Sequence, residues 1–138
     1  MPSRRRSRLP AAWVVLLGAL LCACQRGPTK AAAPPAIGWK PVGTWHGHGN
    51  VQTETFTSDS GGFRVQWETR HESPAGRGRL KVVFHSGDSG REIMEAVDVH
   101  GNGSGTAEVG DRPRWYFLTI ESANVDWSVT VEEPVSPE

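Results

Sequence analysis

Residues Trp45-His46-Gly47-His48-Gly49-Asn50 place two imidazoles one residue apart, beside an indole and between glycines. On an extended strand His46 and His48 point to the same side, with Cα atoms about 6.5–7 Å apart at ~3.3 Å of rise per residue. That spacing suits chelation of zinc, copper or nickel, and a zinc site asks for a third or fourth ligand. His71, His85, His100 and Asp98 offer further ligand atoms by type. A plainer reading stands beside this one. Trp45 and Gly47 turn inward, and the two histidines occupy the solvent face of a strand.

Other residues offer other chemistry. Asp88-Ser89-Gly90 and Asn102-Gly103-Ser104-Gly105, with Asp98 and Asp111, carry hard oxygen ligands of the kind calcium takes, but no EF-hand-type loop is present. Turn chemistry accounts for the same residues. Nucleophilic catalysis finds no G-x-S-x-G elbow, and neither H-E-x-x-H nor a phosphate-binding loop occurs. Glu68 with Glu72, and Glu92 with Glu95, read as solvated carboxylates. Aromatic recognition is the remaining chemistry. Trp39 and Trp115 are the indoles a saccharide would stack on, since Trp45, Trp67 and Trp127 occupy inward-looking positions of alternating segments.

Those alternating segments are the elements that must position everything else. Phe63, Val65 and Trp67 alternate with Arg64, Gln66 and Glu68; Leu80, Val82 and Phe84 follow the same rule, as do Val125, Trp127, Val129 and Val131. Period two is the pattern of strands with one face in and one out. Trp115–Ile120 is apolar on both faces and reads as a central strand. Glycine-rich and Asp/Asn-rich turns punctuate the runs. Strands are expected at 43–48, 52–57, 63–69, 79–86, 93–99, 104–109, 114–121 and 125–132. About eight short strands predict an all-β domain, an antiparallel β-sandwich or jelly roll.

Gly43-x-Trp45-x-Gly47-x-Gly49, Gly62-Phe63-x-Val65-x-Trp67 and the closing Asn124-x-Asp126-Trp127-x-Val129-x-Val131 strand resemble a family of small secreted or lipid-anchored bacterial β-sandwich domains, mostly uncharacterised. The resemblance covers about Gly43 to Glu132. It implies a fold and an extracytoplasmic address, and it supplies no catalytic residues.

The amino end gives the address in more detail. Arg4, Arg5, Arg6 and Arg8 precede an apolar run, Ala11–Leu21, of eleven residues. A membrane-spanning helix needs about 20, so the run has the length of a signal-peptide core. Leu21-Cys22-Ala23-Cys24 resembles a bacterial lipobox, which implies cleavage before Cys24 and acylation of its thiol. The expected organisation is a signal peptide at 1–23, a lipidated Cys24 with a Pro/Ala-rich tether to residue 41, a sandwich domain at 42–133 and a tail at 134–138. Cleavage leaves the domain without a thiol.

Charge narrows the partners. The whole chain balances 15 basic and 15 acidic residues. Four arginines leave with the signal, so the mature part carries 11 against 15. No basic tract attracts a phosphate backbone, and no nucleic-acid partner is expected. The expected partners are the membrane, through the anchor on Cys24, and an envelope glycan or protein. No cofactor is expected. The sequence therefore reads as a non-catalytic, envelope-anchored binding or structural module. A carbohydrate- or peptidoglycan-binding module using an exposed tryptophan, and a metal-binding protein using His46 and His48, are the alternatives.

Overall fold

The computed structural model describes residues 38–135. Cys24, the signal and most of the tether lie outside them. Nine strands follow one another: β1 (Gly38–His48), β2 (Val51–Gln52), β3 (Phe56–Ser58), β4 (Gly62–Arg70), β5 (Arg79–Ser86), β6 (Glu92–His100), β7 (Gly103–Gly110), β8 (Arg114–Ala123) and β9 (Asp126–Val135). One sheet has the order β1-β9-β4-β7. The other has the order β2-β8-β5-β6, with β3 also pairing on β8. Every pairing is antiparallel. The fold is the all-β, two-sheet antiparallel sandwich that the alternation predicts.

The pairs reveal the winding. β1 lies on β9, β2 and β3 on β8, β4 on β7, and β5 on β6. The chain is one antiparallel ribbon, doubled back at the β5–β6 turn and rolled around the core. Contacts of β4 with β9 and of β5 with β8 close the roll. This is the arrangement of a jelly roll.

Three differences from the sequence expectation stand out. The strand expected at 52–57 is split, because Thr53 leaves the ladder. Its N–H donates to the Leu118 carbonyl at 2.9 Å, and its hydroxyl, not its carbonyl, accepts the Leu118 N–H at 2.9 Å. β1 begins at Gly38, inside the segment read as tether, and β9 runs on to Val135. Backbone pairing of Gly38 with Val135 and of Trp39 with Pro134 needs no side-chain alternation. Pro41 is tolerated there because β1 is an edge strand.

The core comes mainly from the four inner strands. Phe63 and Val65 of β4, Leu80, Val82 and Phe84 of β5, Tyr116, Leu118 and Ile120 of β8, and Trp127, Val129 and Val131 of β9 are all buried. Each set is spaced by two. Rings of Phe63, Phe84 and Tyr116 pack with centroids 4.8–6.0 Å apart. Burying a side chain of this size stabilises by about 1.5–3 kcal/mol.

The Gly-x-Trp-x-Gly pattern has a spatial reason. A methyl on Gly43 would overlap the Trp45 indole, and one on Gly105 would come within 2.8 Å of the Trp67 ring. On Gly47 it would sit 3.2 Å from the ring of Trp127. Each glycine leaves the room an indole fills at the margin of the core.

At one end of the sandwich a carboxylate is pinned between strands. Glu133 is 4% exposed. It receives Lys40 Nζ at 2.9 Å and the Ser58 hydroxyl at 2.8 Å. Burial pushes its carboxyl up, but hydrogen bonds from Lys40 and Ser58 and the Lys40 charge outweigh it, and the group lies below its ordinary value. The pin joins β1, β3 and β9.

Gly43→Ala and Gly105→Ala each overpack an indole and are expected to cost roughly 1–3 kcal/mol. That lowers the melting temperature by about 4–8 °C per kcal/mol in a domain of this size. Gly110→Ala, which meets nothing within 4 Å, leaves it unchanged. Equal melting curves for all three would refute the glycine–indole argument.

Candidate functional site

The outer face of the β2-β8-β5-β6 sheet carries an aromatic strip. Tyr116, Leu118 and Ile120 face the core, so Trp115, Phe117 and Thr119 face out. Trp115 is 51% exposed. Phe117 stacks flat on His85, with centroids 4.9 Å apart and planes at 7°. His85 Nδ1 is 3.2 Å from the Gly90 carbonyl and Nε2 is 2.8 Å from the Thr119 hydroxyl. A carbonyl only accepts, so the neutral ring carries its proton on Nδ1 and takes the Thr119 proton on Nε2. Val83, beside His85 on this face, is only 3% exposed.

A cleft of about 870 Å³ adjoins the strip at the end of the sandwich. Ser86, Asp88, Ser89, Arg91, Glu92 and Ile93 form one wall, and Arg112, Pro113 and Arg114 form the other. Both walls are tied down. Gly87 N–H donates to the Trp115 carbonyl at 2.8 Å, Ser86 N–H to Arg91 at 2.8 Å, and Gly90 N–H to Ser86 at 2.9 Å. The Tyr116 hydroxyl lies 2.5 Å from the Arg112 carbonyl and 3.1 Å from Asp111 Oδ2. Burial first, then the Asp111 carboxylate, pushes the Tyr116 phenol up to about 12, so it stays a donor. Arg114 Nε stands 3.0 Å from Asp111 Oδ2, an ion pair at an angle that makes no hydrogen bond.

The histidines assemble differently from the sequence expectation. His46 and His48 do share the outer face of β1, opposite Ser128 and Asp126. His48 Nδ1, however, lies 3.0 Å from Asp126 Oδ1, and His71 Nδ1 lies 2.8 Å from Asp126 Oδ2. One carboxylate is thus held between His48 and His71. Hydrogen bonds from His71 first, then His48, lower the Asp126 carboxyl below its ordinary value. His71 occupies the left-handed region at φ 57°, a conformation that costs a non-glycine residue of order 1–3 kcal/mol. Among the described residues no group of three or more His, Cys, Asp or Glu side chains is set to hold a metal ion. His46 and His48 therefore gain no third ligand there.

Trp39 is not the free ring its place in the sequence suggested. It is half-buried on β1, with the Arg64 guanidinium 4.4 Å above its ring. Arg64 is itself held by Glu132, with Nε 2.6 Å from Oε2. Most of the loop oxygens considered for calcium are engaged in turns and ion pairs, Asp88 being without an ion-pair partner among the described residues. Asp98 faces Arg79 at 3.4 Å, Asp111 serves Arg114 and Tyr116, and Asn102 Oδ1 accepts the Glu72 N–H at 2.9 Å. Glu72 accepts the Gly76 and Gly78 N–H groups, Glu68 faces Arg70, and Glu95 faces Lys81. The aromatic strip was legible through Trp115. The neighbouring Arg91 and Arg112 were missed, because nothing in their spacing shows that two distant turns share one cleft.

No family model matches this chain, and no curated protein matches its sequence. The β-sandwich that the resemblance implied is present, and no family is shown beyond that fold. Among solved structures the chain is similar to one from the Bacillus endospore appendages, which form a family of disulfide-linked pili. The match has a TM-score of 0.38 at 16% identity and covers 72% of this chain and 89% of that one. A similarity that distant says nothing of what this chain binds or builds.

Asp126 is expected to titrate below its ordinary value of 3.8, and His71→Ala to raise its midpoint more than His48→Ala does. Carbon-detected carboxyl titration reads both. Because the folded value is depressed, the stabilisation is present above the unfolded value and is lost as pH falls through the folded one. An unmoved midpoint in His71→Ala would refute the clamp.

Proposed function

We propose that this chain is a lipid-anchored, non-catalytic binding module of a bacterial envelope, and that Trp115 is its contact with an envelope saccharide. The exposed Trp115 carries the reading. The other tryptophans of the domain are engaged: Trp39 under Arg64, Trp45 over Gly43, Trp67 against Gly105, and Trp127 over Gly47 with its Nε1–H on the Gly49 carbonyl. Trp115 alone among them is more than half exposed. It stands on a central strand, where its backbone cannot drift. A flat apolar ring next to a polar cleft is what the hydrophobic face of a sugar stacks on, while polar side chains meet the hydroxyls.

The anchor follows from Leu21-Cys22-Ala23-Cys24. Cleavage before Cys24 frees its amine, and its thiol takes a diacylglycerol whose two chains hold stably where one holds marginally. The Pro/Ala-rich segment then serves as a spacer between lipid and domain.

Cys24→Ser is expected to abolish incorporation of labelled palmitate; labelling that persists would refute lipidation at this residue. Trp115→Ala is expected to weaken binding to isolated peptidoglycan and envelope polysaccharide by about tenfold, the scale of one good aromatic contact. Its melting temperature should stay near that of the parent, since surface changes stay within about ±0.5 kcal/mol. Undiminished binding in Trp115→Ala would overturn the assignment.

A further inference from the structure

We propose that the saccharide bound at this surface is anionic, its carboxylate held by Arg91 and Arg112 in the cleft beside Trp115. This rests on the saccharide reading and adds the charge class of the ligand. Arg64, Arg70, Arg79 and Arg114 each face a carboxylate. Among the described residues Arg77, Arg91 and Arg112 face none, and of these Arg91 and Arg112 line the cleft. A guanidinium presents a planar fork of donors that matches a carboxylate, and it stays charged at any physiological pH.

The cleft's acidic groups decide what kind of anion fits. Asp88 and Glu92 also line it and have no ion-pair partner among the described residues. They repel a bare anion and accept hydrogen bonds from hydroxyls. A ligand that satisfies all four brings hydroxyl donors together with its negative charge. A uronic acid or a lactyl-bearing amino sugar does so; inorganic phosphate does not. Ser86 and Ser89 add hydroxyls to the same wall. The walls are preorganised by the Tyr116 hydroxyl on one side and the Ser86–Arg91 turn on the other, so little ordering cost falls on binding. Trp115 follows Arg114 directly, and Gly87, between Ser86 and Asp88, donates its N–H to the Trp115 carbonyl at 2.8 Å and leaves no room for a Cβ beside that of Trp115. Trp115 does not itself line the cleft, so the ligand is an oligosaccharide that stacks on Trp115 and extends past Gly87 to reach it.

The test is calorimetry on the full chain in detergent. The probes are oligogalacturonate, oligoglucuronate and an N-acetylmuramate-containing oligosaccharide, each beside its methyl ester, with inorganic phosphate and glycerol phosphate as competitors. At least one free acid is expected to bind tenfold or more tightly than its ester. Arg91→Gln with Arg112→Gln should erase that preference by weakening the acid more than the ester, whereas Trp115→Ala should weaken acid and ester alike. Acid and ester binding equally, with Trp115→Ala still weakening both, would overturn the charge assignment and leave the Trp115 reading standing. Displacement by phosphate or glycerol phosphate at the concentration of the sugar acid would reassign the cleft to a bare anion or a lipid headgroup. No binding to any probe would overturn both readings.

Discussion

The register of β8 is the constraint on which the rest depends. Tyr116, Leu118 and Ile120 are wholly buried between the sheets. A slip by one residue would expose them and drive Trp115, Phe117 and Thr119 inward, because successive side chains point to opposite faces. Each of the three buried side chains is worth about 1.5–3 kcal/mol, so the register is strongly specified. Trp115 and Phe117 are thereby forced outward. β8 pairs on both sides, with β5 on one flank and β2 and β3 on the other. The candidate contact surface is a by-product of core packing in its position, though not in its choice of residues, since core packing places no demand for an indole at 115.

The same strand links core to cleft. Tyr116 is buried with its ring among Phe63 and Phe84, yet its hydroxyl reaches the Arg112 carbonyl and Asp111. A buried phenol must find a partner or lose one to three kcal/mol in the order of an unmade hydrogen bond. Meeting that need fixes the turn that bears Arg112. The Glu133 pin works similarly one turn away. A carboxylate placed between sheets is tolerable only with partners, and supplying Lys40, Ser58 and the Ser60 hydroxyl ties the start of β1 to the end of β9.

Much of this is legible in the sequence. The two-residue period identified the inward sets of β4, β5, β8 and β9, and β5 has the bounds the pattern predicts. The break at 53–55 was not legible, because a threonine hydroxyl replacing a backbone carbonyl leaves no trace in hydropathy. The start of β1 was hidden by its prolines and alanines, which pair through the backbone without an apolar face. At the candidate sites, local spacing identified His46 with His48, whereas the fold joined His48 to His71 through Asp126. Trp39 looked free by sequence and is covered by Arg64 from two strands away. Period and turn chemistry are local quantities. Which turns meet at one end of a rolled ribbon is not.

The two outer faces differ in what they have left to offer a ligand. On the β1-β9-β4-β7 sheet, Arg64 is committed to Glu132, Arg70 to Glu68, Asp126 to His48 and His71, and Thr44 to Thr130. Exposed pairs of this kind contribute only about 0–1 kcal/mol each to stability, but a ligand would have to break them before using their atoms. At the Trp115 end the ring is half exposed, and the Arg91 and Arg112 guanidinia have no ion-pair partner among the described residues. A ligand there exchanges solvent for its own groups and disrupts no existing pair. Affinity depends on that difference rather than on the number of polar groups present, and it favours the strip and its cleft over the more conspicuous histidines.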